Sequence, residues 1–200
     1  MTRSLRYGDA GQAFPIYITV VGGLLLLAFA YFAVGQAAAN RNDAQTAADA
    51  AALAAAQDRR DQLAGDWVEN LLEPDRWQAI FAGNAEGPDF SCERADQLAA
   101  HNDAVVLSCD PRGLLSYTVV VETNDTVGDS IVPGTEDFKS QERATAVIEP
   151  RCEFDPPAEE AAEDALPLLT CEGTEWKLDP KTPEELLPEP EDLFDVHLAD

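Results

Sequence analysis

The run Phe14–Val34, FPIYITVVGGLLLLAFAYFAV, holds 21 residues without a formal charge, and no other stretch constrains the chain so tightly. As a helix rising 1.5 Å per residue it would be about 32 Å long, the hydrocarbon thickness of a bilayer. A lone segment in lipid must satisfy its own backbone hydrogen bonds, so a helix is the expected form. Gly22 and Gly23 are compatible with this, because glycine is frequent in membrane helices and admits close neighbours. Pro15 sits in the first turn, where its missing N–H has no intrahelical partner to lose.

Charge divides the chain at the same place. Asp9 is the one acid before residue 35, and the other 37 of the 38 acids follow it, giving a net charge of −25. Such a surface lacks the clustered Lys and Arg that release counterions from nucleic acid, so no nucleic-acid partner is expected. Arg3 and Arg6 precede the apolar run, whereas Arg41 after it is balanced by Asp43 and Asp49. The basic bias predicts an N-terminus inside the cell membrane and an acidic C-terminal part outside, in a single pass with the lipid bilayer as first partner. A secretory leader cut near Ala37–Ala39 is the rival reading, set against a run longer than the usual leader core. Ten arginines to three lysines, with abundant alanine, suit a bacterial chain of high GC content.

Beyond the apolar run, strong helix formers continue without a breaker to Gly65. Residues 35–64 are therefore expected as an alanine-rich helical stalk, either a plain spacer or a face for packing on a copy of itself or another helix. Residues 1–13 form a short cytoplasmic head, 14–34 the span, 65–152 a small extracytoplasmic domain and 153–200 a tail. In the domain, Trp67, Val68, Leu71, Leu72, Trp77, Ile80 and Phe81 recur at helical spacing around Pro74, and a second short helix is expected from Glu93 to His101. Ala104–Cys109, Leu115–Glu122 and Ala144–Glu149 read as strands, the first two joined by the turn Asp110-Pro111-Arg112-Gly113. The fold class is α+β, with a three-stranded antiparallel sheet on a helix. From Glu153 to Asp200 sixteen acids face two lysines, with seven prolines, so most of this tail is expected to be disordered. Leu168–Leu178 is the exception, an island able to dock as an edge strand.

Few residues suggest chemistry. Cys92, Cys109, Cys152 and Cys171 contain no CxxC pair, which argues against a zinc ribbon or a thioredoxin-type site. Four cysteines outside the cell allow three pairings; Cys92–Cys109 with Cys152–Cys171 is favoured, each closing a short loop. His101 and His197 are the two histidines, and neither HExxH nor GxSxG occurs. No catalytic residue, metal or cofactor is expected. Glu122, Asn124, Asp125 and Asp129 resemble a calcium loop loosely, at the wrong spacing for an EF-hand. Asn124-Asp125-Thr126 has the form of a glycosylation sequon. A membrane-anchored binding or sensing module, with the acidic tail engaging a cation or a basic partner, is thus one functional reading.

The order GQAFPIY, an uncharged span, then RNDAQTAADAAALAAA over about residues 8–57 resembles the Flp pilus-assembly TadE/TadG-like family. The resemblance implies a single-pass, non-catalytic component of a bacterial Tad-type pilus or secretion machine, with other Tad/Flp assembly proteins as partners. It also implies a processing context, G-x-x-x-x-E-Y, in which Gly11 would be the cleavage glycine and Gln12 the new N-terminus. Tyr17 fits that context, but Ile16 stands where the glutamate belongs. The departure favours an uncleaved assembly component over a minor pilin-like subunit cut after Gly11.

Overall fold

The computed structural model describes residues 13–84, 91–126, 137–155, 166–179 and 186–199. One helix dominates it. Helix α1 runs unbroken from Ala13 to Glu69, 57 residues and about 86 Å. It passes through Gly65 and stops short of Pro74, whose ring disfavours helical backbone just before it. Pro74 then opens α2 (Pro74–Phe81), and α3 spans Ser91–His101.

Four strands form the main antiparallel sheet in the order β1-β2-β3-β7: Ala104–Pro111, Ser116–Thr123, Gln141–Pro150 and Phe194–Leu198. A second antiparallel sheet, β4-β5-β6, is built from Cys152–Phe154, Leu168–Cys171 and Thr174–Lys177. The short helix α4 (Pro190–Leu193) leads into β7. The molecule is therefore α+β with a long N-terminal apolar helix.

Period two assigns the faces of the main sheet. Tyr117, Val119 and Val121 of β2 and Ala144, Ala146 and Ile148 of β3 are buried, and α1 packs on these strands. Helix α3 lies against both α1 and β1, with Ala95 and Ala99 fully buried. Between these layers Ala47, Ala48, Ala51, Ala52, Ala55 and Ala56 are all at 0% exposure. The alanine stretch is thus the core of the head and not a stalk outside it. Alanine has this effect because a methyl group lets both a helix and a sheet approach the α1 backbone closely, so nearly every side of the helix is covered at once.

Two further expectations need correction. The main sheet has four strands, because Phe194–Leu198 pairs with β3 from Ala146↔Leu198 to Pro150↔Phe194. The described parts of the acidic tail are ordered: 166–179 form most of the second sheet, and 186–199 carry α4 and β7. Their apolar side chains explain it, since Leu169, Leu193 and Phe194 are at 0% exposure and Leu187 at 7%. Tail residues 156–165 and 180–185 lie outside the described residues.

Far from the apolar end, aromatic rings close the core. Trp67 lies 5.4 Å from Trp77, Trp77 lies 5.3 Å from Phe154, and Phe81 touches both Phe154 and Phe194. The Trp77 indole N–H donates to the Asn70 carbonyl at 3.1 Å. Gly83 (φ +96°) ends this region; a Cβ there would lie 2.6 Å from Leu114 Cβ, so only glycine fits.

Candidate functional site

The functional feature with the clearest geometry is α1 itself, which has two surroundings. All the large apolar side chains from Phe14 to Val34 except Val21 stand exposed to more than half of their surface, Phe32 at 62% and Val34 at 69% among them. The helix is long and apolar enough here to cross a membrane, and none of that stretch is buried. Thr19, the polar residue in mid-run, donates its hydroxyl back to the Pro15 and Ile16 carbonyls, as a hydroxyl in lipid would have to. Ile16 lies on this exposed surface, while Gly11 and Gln12 lie outside the described residues.

At Asn40 the surroundings change. Its side chain, 8% exposed, donates to the Asp125 carbonyl at 3.1 Å and accepts from the Thr123 hydroxyl at 3.4 Å. This is the first buried side chain after the apolar run, six residues past Val34, so the head starts about 9 Å beyond the apolar end. Arg41 binds Glu142 at 2.7 Å, Arg59 donates to the Gly83 carbonyl at 2.9 Å, and Arg60 meets Glu191 at 3.1 Å. Each arginine of α1 therefore ties the helix to a different part of the head. The sequence suggested Arg41 only as an orientation charge, with Arg59 and Arg60 too far along the chain to count heavily; a basic residue inside an alanine-rich helix was the available signal for these ties.

An open cleft of about 320 Å³ sits at the Asn40 end, lined by Asn40, Asp43 and Thr46 of α1 with His101, Asp103 and Asp125 opposite. Among the described residues no group of three or more His, Cys, Asp or Glu side chains is arranged to hold a metal ion. Of the calcium-like loop, Glu122 accepts from Gln141 at 2.7 Å, Asp125 contributes its carbonyl to Asn40 and Thr123, and Asp129 lies outside the described residues. The two histidines are not brought together: His101 borders the cleft, whereas His197 on β7 contacts Asp195 at 2.9 Å.

Cys92 is joined to Cys109, linking α3 to β1, and Cys152 to Cys171, linking β4 to β5. Beside the second bridge, Arg151 binds the Glu172 carboxylate and donates to the Glu191 carbonyl. The hydrogen bond that Arg151 donates to the Glu172 carboxylate holds the guanidinium pKa above its ordinary value, against a smaller desolvation effect, so Arg151 stays charged.

Residues 11–58 match the family model Tad, putative Flp pilus-assembly TadE/G-like. From Ala13 on, the matched segment lies in α1 and carries the exposed apolar run, the Asn40 junction and the buried alanines. The N-terminal part of the chain is Tad-like, and residues 59–200, with both sheets and all four cysteines, lie beyond the match. No curated protein and no solved structure matches the chain.

Proposed function

We propose that this chain is a non-catalytic, single-pass membrane component of a bacterial Flp-type pilus assembly or secretion system. Its N-terminus faces the cytoplasm, and the α+β head sits outside, close to the bilayer surface. One observation carries the reading: from Ala13 on, the segment that matches the Tad family lies in one unbroken helix that is apolar and exposed at one end and the packed core of a domain at the other. Such a helix fixes the head relative to the bilayer, because no loop intervenes between Val34 and Asn40. The partners are the lipid bilayer and other pilus assembly proteins, and the cysteine bridges suit an oxidising compartment.

Alkaline phosphatase fused to the C-terminus tests the topology. An active fusion supports the outside head, and an inactive, stable fusion overturns it. A deletion strain with normal piliation would remove the assembly role. The same exposed apolar surface favours a second reading, a minor pilin-like subunit whose helices pack side by side after cleavage following Gly11. Mass spectrometry of the membrane-extracted chain separates the two, since a mature N-terminus at Gln12 belongs only to the pilin-like subunit.

A further inference from the structure

At the pole farthest from the apolar run, β4 is the edge strand of the second sheet, and its free side faces the first turns of α2. Between them runs an open groove of about 420 Å³ lined by Pro74, Asp75, Gln78, Cys152, Glu153 and Phe154. The half-buried Phe154 ring, backed by Trp77 and Phe81, and Pro74 give it an apolar floor.

The direction of the backbone groups follows from the ladder. Glu172 N–H donates to the Arg151 carbonyl, so Arg151 turns toward β5. Cys152 and Cys171 are direct partners at a Cα–Cα distance of 4.0 Å, the close pair that exchanges no backbone bonds. By alternation Cys152 and Phe154 point their N–H and C=O groups away from β5, on the side of β4 that has no strand partner. Among the described residues no backbone hydrogen bond reaches Cys152, Glu153 or Phe154 from that side. The backbone bonds of Arg151, to Leu193 and Glu172, both lie on the β5 side and leave the groove side of β4 uncovered by them.

Charge selects the occupant. Asp75 and Glu153 flank the groove and Asp155 follows it, all exposed, and among the described residues no basic side chain pairs with them. The nearby cations are engaged: Arg76 with Asn70 and Glu73, Arg151 with Glu172. A second copy of a chain with net charge −25 would bring like charge to this rim.

We infer that the groove between β4 and α2 docks an extended, basic segment of a partner protein, added as a strand on the free edge of β4. Backbone hydrogen bonds at Cys152 and Phe154 set its register, and its Lys or Arg side chains meet Asp75, Glu153 and Asp155. The inference does not depend on the membrane topology or on the pilus reading.

The full chain in detergent micelles can be titrated with the peptide Val-Lys-Val-Lys-Val-Lys-Val, with its glutamate counterpart, and with a copy N-methylated along one edge. Expected are saturable binding of the lysine peptide, weakening as salt rises, and at least tenfold slower hydrogen exchange at the Cys152 and Phe154 amides. The exposed double variant Asp75→Asn/Glu153→Gln should bind at least tenfold more weakly with an unchanged circular dichroism spectrum. The N-methylated peptide, which leaves the protein untouched, should lose binding as well. No binding, equal binding of the glutamate peptide, full binding by the methylated one, or slowed exchange at β1 in place of β4 would each overturn the inference.

Discussion

The two ends of α1 share a backbone and differ in what surrounds it. From Phe14 to Val34 its side chains are mostly large and exposed, whereas from Ala44 to Ala56 they are mostly small and buried. Both stretches are apolar, yet they solve opposite problems. A helix facing lipid gains from broad side chains that fill the space around it. A helix pressed between α3 and a sheet gains from short ones, because each added methylene would push a neighbouring layer away. Hydrophobicity alone does not separate these cases; side-chain size does.

The sharpest way to break this contrast is to remove one large side chain from each end. Trp67→Ala, at a fully buried position against Trp77, should cost about 4 kcal/mol in urea unfolding of the head. Phe29→Ala, 59% exposed in the apolar run, should leave that midpoint where it was. Equal effects would show that the two ends are not separate environments. Next in size, Cys92→Ser with Cys109→Ser opens the loop that holds α3 on the packed end, whose closure is worth about 3 kcal/mol, and should lower the head's melting temperature.

Ala51→Leu sharpens the size argument itself. At 0% exposure in the core that α1 shares with α3 and the sheet it should destabilise by about 2 kcal/mol, while the same exchange at the exposed Ala28 should leave the head unaffected. A neutral Ala51→Leu would mean that α3 does not press on α1. The smallest effect belongs to Arg41→Ala. Its ion pair with Glu142 is near the surface, with the Arg41 side chain 75% exposed, and its loss should cost under about 1 kcal/mol and fade at high salt.

How much could be read in advance follows the range of the interactions involved. The apolar run, the helix after it and the first three strands were legible because they rest on local composition and turn chemistry: uncharged residues in series, β-branched and aromatic residues in Leu115–Glu122, and the turn at Pro111–Gly113. Strand β7 was legible in principle, since Phe194, Val196 and Leu198 alternate with Asp195 and His197. Its five residues were outweighed by the acids and prolines counted over the whole tail. Composition averages over a segment, whereas a strand needs only one partner, and β3 offered a free edge.

The sequence by itself determined that an uncharged helix leads this chain, that charge falls on one side of it, and that the strands after it are short and antiparallel. It also contained the Tad-like pattern, which lies within a single helix and needs no long-range contact to be read. Only the tertiary structure decided what the alanines are for. A row of methyl groups suits a bare spacer, a helix pair or a buried core equally well, and the choice rests on α3 and β3, which lie 40 to 100 residues away in the chain. The same holds for the groove beside β4, whose strand edge and carboxylate rim meet only because β3 carries the chain back to the far end of α1.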